Sequence, residues 1–185
     1  MLAGGASRRM GADKAALPVG STTLLGRTIA TLAEVVDEVH VVGGPHQPDG
    51  ATYVADQYPG EGPLGAVVSA FASIDTPVLV VVACDLPALQ PVSIRTLLDA
   101  LAASRADYAV PLVGGRRQWH SAVFSRTCYQ VIDGAFSSGV RSYWDALGSL
   151  RECAVVVAEP GVFADVDTPE QYAEICEPLS MDQDR

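Results

Sequence analysis

The sequence contains no asparagine and a single lysine, Lys14, among 12 Lys and Arg residues. Against 22 Asp and Glu these leave a formal net charge of −10, so no basic face for nucleic acid can be assembled. Nucleic acid is therefore not an expected partner. A chain this acidic meets a polyanionic ligand only by gathering its few cations, by backbone amides or by metal ions. The place of each cation is informative for that reason, although a G+C-rich coding sequence also favours Arg over Lys. Cysteine is scarce as well. Cys84, Cys128, Cys153 and Cys176 form no C-x-x-C pair and no zinc spacing. Their mostly apolar surroundings read as reduced, buried thiols of the cytosol. Long hydrophobic runs are missing. The longest, residues 78–84, is too short to cross a bilayer. With no signal peptide seen, the expected location is the cytoplasm, away from the membrane.

What is present is a folded composition, 49% hydrophobic and 18% charged over 185 residues. One domain over residues 1–179 is expected, with a frayed tail at 180–185. Short β-rich runs alternate with helical patterns. Strands are expected at 39–42, 53–55, 77–83, 108–112, 121–124 and 154–158, and helices at 23–35, 64–73, 91–104, 126–134, 139–147 and 169–176. The alternation predicts an α/β fold: a Rossmann-like three-layer α/β/α domain with a mostly parallel sheet. The run 77–83 is apolar throughout and reads as the central strand, buried on both faces. Pro91 and Pro169 suit first-turn positions behind Gln90 and Thr168 as caps. The chain opens directly on Met1-Leu2-Ala3-Gly4-Gly5, a glycine loop with almost no strand before it. A shortened first strand, a misassigned start or absent residues would each produce that.

Four segments carry chemistry. In the first, Gly4 and Gly5 let backbone approach a ligand closely and free amides can cradle phosphate. Arg8, Arg9 and Lys14 supply charge nearby. It is neither a Walker loop nor a dinucleotide fingerprint; the alternative is an ordinary glycine turn with surface arginines. The second, Gly62-Pro63-Leu64-Gly65-Ala66, runs into a helix N-terminus that could hold a base edge or an anion, or is a plain turn. The third, Ala83-Cys84-Asp85-Leu86-Pro87, ends the most buried strand, where ligands sit in open α/β sheets. A carboxylate there needs a partner, and magnesium bridging phosphates is the natural one; capping the next helix is the alternative. In the fourth, Phe163-Ala164-Asp165-Val166-Asp167-Thr168-Pro169-Glu170, two alternating aspartates on extended backbone point to one side. One could join Asp85 on the metal. Asp56 could face the same cleft. Arg116, Arg117, Trp119 and His120 make either a loop gripping an anionic planar acceptor or a solvated hairpin turn. His40 and His46 read as incidental surface residues.

These motifs, in this order and spacing over essentially the whole chain, resemble the molybdenum cofactor nucleotidyltransferases, within the wider sugar-nucleotide transferase fold. The resemblance implies an NTP bound over the first loop. Leu2, Ala3 and Gly4, with Gly5, match the base- and phosphate-contacting loop. Lys14 matches the phosphate lysine, Gly43 a position near the nucleotide, and Asp56 a nucleotide-contacting aspartate. Asp85 matches the magnesium ligand. Leu2-Ala3-Gly4-Gly5 with Gly62-Pro63-Leu64-Gly65 is the guanylyl pattern, implying GTP plus a molybdopterin-type cofactor giving the guanine dinucleotide and pyrophosphate. Asp165 and Asp167 depart from it, because guanylyl relatives commonly carry asparagine at both positions. Mg²⁺, replaceable by Mn²⁺, would rest on Asp85 with Asp167 and Asp165, and Lys14 and Arg9 would neutralise developing charge. The competing readings are the cytidylyl reaction, a sugar-phosphate acceptor and a non-catalytic binder. A monomer or small homo-oligomer is expected, in transient contact with cofactor-synthesis or molybdoenzyme partners.

Overall fold

The computed structural model describes residues 1–4, 13–46 and 48–181. A one-turn helix at Lys14–Ala16 precedes a short hairpin of β1 (Pro18–Val19) and β2 (Thr22–Thr23), which leads into α1 (Leu24–Ala33). Thr23 is the cap of α1 rather than its first residue: its Oγ1 accepts from the Gly26 amide at 3.1 Å. The chain continues through β3 (His40–Val42), β4 (Thr52–Val54), α2 (Pro63–Ser73), β5 (Val78–Val82) and α3 (Pro91–Ala103). Then come β6 (Tyr108–Val113), β7 (Arg116–Arg117), β8 (Ser121–Ser125), α4 (Cys128–Ser137), α5 (Tyr143–Leu147), β9 (Glu152–Val156) and α6 (Pro169–Met181). Every expected strand and helix is present with shifted ends. Gln90 makes no side-chain capping bond to α3, and α6 runs on past residue 179 to Met181.

Residues 1–3 lie between β3 and β5. Leu2 forms parallel bridges to Val42 and Ala83, and its amide donates to the Val82 carbonyl at 2.8 Å. The sheet order is therefore β4, β3, Leu2, β5, β8, β6, β9. β3–β4 and β6–β9 are parallel, whereas β8 runs antiparallel to both β5 and β6. The cause is local. The Gly114–Gly115 turn folds β7 back on β6, so the chain re-enters the sheet reversed. The strand expected at the centre of a parallel sheet thus has a parallel neighbour in Leu2 and an antiparallel one in β8.

Side chains alternate across the sheet as the pleat requires. Leu79, Val81, Ala122, Phe124, Tyr108 and Val110 face one core, with α2, α4 and α5 over it. Val82, Val41, Ala109 and Val123 face the opposite side, under α1 and α3. Phe71 and Phe124 are fully buried, each stabilising the fold by about 1.5–3 kcal/mol through burial alone. This three-layer packing fixes the carboxyl ends of β3, β5 and the Leu2 segment along one rim. Among the described residues no helix is long and apolar enough to cross a membrane.

Candidate active site

The rim carries a cavity of about 660 Å³. Leu2, Ala3 and Gly4 form part of its floor, Gly62 and Pro63 one edge, and Asp56, Lys14, Asp85 and Asp167 its polar wall. A second cavity, about 240 Å³, lies beyond Asp85 and contains Arg117, Trp119, Tyr143 and Asp165 in its wall. The two share Ala83, Asp85 and His120, so Asp85 stands at their junction.

Three segments converge there by backbone bonds. The Cys84 amide donates to the Leu2 carbonyl at 3.2 Å, the Ala83 amide to His120 at 2.8 Å, and the Val166 amide to Asp85 at 3.0 Å. The last bond draws the Asp165–Asp167 segment onto the end of β5. A reciprocal cap then fixes Asp167. Gln171 Oε1 accepts from the amides of Asp167 at 2.8 Å and Thr168 at 3.0 Å, while Thr168 Oγ1 accepts from the Gln171 amide at 3.3 Å. This is the Thr-x-x-Gln capping box.

Lys14 is aimed by its own one-turn helix, which Asp13 caps through Oδ1 to the Ala15 amide at 3.1 Å. Its Nζ donates to Asp85 Oδ2 at 3.1 Å and, in a shorter contact, to Asp167 Oδ1. Burial alone would lower the lysine's pKa. The hydrogen bonds and charges of Asp167 and Asp85 outweigh it and hold the ammonium above its ordinary range. Asp56 is anchored by Oδ1, which accepts from the Tyr58 amide at 3.0 Å and from Ser69 Oγ at 3.1 Å. Neighbouring Cys84 is no nucleophile, since burial and the Asp85 charge push its thiol up to about 12.

Several sequence expectations shift. Leu64 is fully buried in the core, because α2 turns it away from the cavity. Gly43 stands behind Gly4 rather than on the cavity surface. Its φ is +73°, and a Cβ there would sit 3.3 Å from both Gly4 Cα and Asp56 Cβ. Gly65 serves packing: a Cβ would meet Tyr58 at 3.1 Å and the Phe136 ring at 3.2 Å. Asp165 and Asp167 line different cavities, on either side of Val166, whose amide is bonded to Asp85. Among the described residues no three acidic, histidine or cysteine side chains converge as a metal set. Arg116 is exposed on the β6–β7 hairpin. Arg117 is engaged by Glu152 through Nε–Oε2 at 2.6 Å and Nη2–Oε1 at 2.8 Å, which holds the Glu152 carboxyl below its usual range. His46 is no idle surface residue, with Nε2 2.7 Å from Asp13 Oδ2. Gly5, Arg8 and Arg9 lie outside the described residues. Sequence reasoning missed Asp13, Tyr143 and Gln171. Only Gln171 left a signal, the capping-box spacing from Thr168.

The family model and the relatives that match make the chain a nucleotidyltransferase. The solved molybdopterin-guanine dinucleotide biosynthesis protein A of Archaeoglobus fulgidus superposes with a TM-score of 0.81 over 97% of both chains at 18% identity, which establishes the shared fold. The chain belongs to the family of the MobA-like NTP transferase domain, whose model matches residues 1–159. It is similar to the probable molybdenum cofactor guanylyltransferase of Mycobacterium avium, with 31% identity over 91% of this chain and 89% of the relative. Similarity to the protein of the same description in Pelotomaculum thermopropionicum is 36% over 72% of this chain, and spans 65% of that relative's length.

Proposed function

We propose that the chain transfers GMP from GTP to the phosphate of a molybdopterin-type cofactor and releases pyrophosphate. The carrying observation is the clasp of Lys14 by Asp85 and Asp167 where the two cavities join. The larger cavity lies within the usual range for small-molecule sites, about 300–1,000 Å³, and receives GTP over Leu2, Ala3 and Gly4. The smaller receives the acceptor. An acceptor phosphate oxygen attacks the α-phosphorus in line, the bond to the β-phosphate oxygen breaks, and pyrophosphate carries away the electron pair. The acceptor is already an anion, so positioning and electrostatics suffice without a strong base.

Two carboxylates from separate segments already bracket one cationic nitrogen, so they fit a divalent cation. Mg²⁺ typically takes one or two carboxylates together with phosphate oxygens. Asp85 and Asp167 would hold Mg²⁺, or Mn²⁺ in its place, whereas Asp165 serves the acceptor side. Such an ion supplies positive charge at the α-phosphate and the leaving pyrophosphate. Lys14 adds charge to the same phosphates, and Asp56 holds the nucleoside end. The buried, reduced thiols Cys84 and Cys128 fit a reducing compartment such as the cytoplasm. The guanylyl names of the relatives support GTP. The test is pyrophosphate release with molybdopterin-type cofactor and Mg²⁺, from GTP and separately from CTP. Acceptor-dependent release from GTP is expected; release from CTP alone would overturn the base assignment, and silence with both would overturn the reaction.

A further inference from the structure

Asp85 stands just beyond the end of β5, so its aim depends on what holds residues 84–87. Three neighbouring segments hold them. The Cys84 amide donates to the Leu2 carbonyl at 3.2 Å, and the Asp85 carbonyl accepts from the Val166 amide at 3.0 Å. The third hold comes from α1. Arg27 Nε donates to the Pro87 carbonyl at 2.6 Å, across 60 residues of chain. Beside it, the buried Thr28 hydroxyl donates to the Leu24 carbonyl at 2.9 Å and lies 3.4 Å from the Cys84 carbonyl.

The choice of donor at Pro87 calls for a cause. Pro87 is buried, and a buried carbonyl needs a partner, but a neutral side chain would serve. The chain has only 12 Lys and Arg against 22 Asp and Glu, so carboxylate partners abound. Yet among the described residues Arg27 joins no ion pair. A scarce cation is spent on one backbone oxygen two residues after Asp85. Charge-assisted hydrogen bonds are the stronger kind, so this one resists displacement of the turn. The turn in turn carries the second carboxylate. Val166, next to Asp167, is bonded to the Asp85 carbonyl, so any shift of residues 85–87 reaches Asp167 as well.

We propose that Arg27 is a positioning residue of the site. Its charge-assisted bond to Pro87 keeps the Asp85 and Asp167 carboxylates bracketing one point, the point Lys14 Nζ now occupies, where a divalent cation fits. This rests on reading the two carboxylates as the metal pair. Arg27 lines neither of the two cavities and acts only through Asp85.

Arg27→Met keeps the apolar stem and removes the donor. Arg27→Gln puts a neutral donor at the same reach. Mn²⁺ binding without nucleotide, read by electron paramagnetic resonance, should weaken about tenfold or more in Arg27→Met, the scale of losing an outer-shell partner. Arg27→Gln should fall between that variant and the wild type. Turnover at fixed Mg²⁺ should drop on the same scale and recover in part as Mg²⁺ is raised. The melting temperature of Arg27→Met should fall whatever the role, because a buried carbonyl loses its partner, so metal binding is the deciding readout. Wild-type Mn²⁺ affinity in folded Arg27→Met overturns the inference and confines the bond to the fold. Should that variant not fold, wild-type affinity in Arg27→Gln overturns it equally. A wild type silent with GTP and acceptor overturns the proposed reaction, and Mn²⁺ binding still decides the role of Arg27. A wild type that binds no Mn²⁺ removes the metal pair, and the inference with it.

Discussion

At the scale of single residues the proposed chemistry turns on one cation held by two carboxylates. Asp85→Asn should lower turnover by about a hundredfold or more, the scale seen when a preorganised charge is removed from a transition state. The assay is pyrophosphate release, and a wild-type rate would remove Asp85 from the machinery. Lys14→Met has two effects of opposite sign. It should slow turnover by taking charge from the phosphates. It should also tighten Mn²⁺ binding without nucleotide, because the ammonium no longer competes for Asp85 and Asp167; electron paramagnetic resonance of free Mn²⁺ reads this directly. Away from the site, Arg151 donates two side-chain bonds and its amide to Asp107 and pulls that carboxyl from 3.8 down to about 2. A carboxyl lowered on folding adds stability above its unfolded value and loses it as pH falls toward the folded one. The stability gap between wild type and Asp107→Asn, read by urea denaturation, should be full above pH 4 and close toward pH 2.

At the scale of elements, two devices place the site. One is the capping box at the start of α6, which fixes Asp167 through Gln171. Gln171→Ala should cost about 1 kcal/mol and lower turnover, because it loosens a carboxylate as well as a helix end. Equal turnover with reduced melting temperature would confine Gln171 to the fold. The other is the seat of α2 against α4, where Gly65 lets Tyr58 and Phe136 close in with ring centroids 4.7 Å apart. Gly65→Ala should destabilise by about 1–3 kcal/mol through overpacking, measured by denaturant midpoint. Strand and helix identities were legible because their periodicities are local. The direction of β8 was not, since it depends on the Gly114–Gly115 reversal and on pairing with β5 far away in sequence. For the same reason Lys14, Asp85 and Asp167 stood out as chemistry in the sequence, while the split of Asp165 from Asp167 between two cavities did not. Tyr143 left no signal at all, for an aromatic at the start of a short helix reads as core, and only the fold sets it beside Trp119 and His120.

At the scale of the whole molecule, the sheet brings the two cavities together at Ala83, Asp85 and His120. In the proposed assignment, two substrates seated on either side of Asp85 would be present at once, so the α-phosphorus and the attacking oxygen would meet without an enzyme-bound intermediate. Ping-pong transfer would need a nucleophile of the protein's own in the larger cavity. Its described wall offers carboxylates, Lys14, His120 and Cys84. Lys14 is held charged by its two aspartates and so has no free electron pair, and Cys84 is held as the thiol, a far weaker nucleophile than the thiolate. Asp85 and Asp167 are turned onto the ammonium, and His120 stands at the junction with the cavity proposed for the acceptor. The kinetics should therefore be sequential. Initial rates at varied GTP and acceptor should give intersecting lines, and labelled pyrophosphate should not exchange into GTP without acceptor. Parallel lines with acceptor-independent exchange would mean a guanylylated protein, and His120 would then be the residue to search for the adduct.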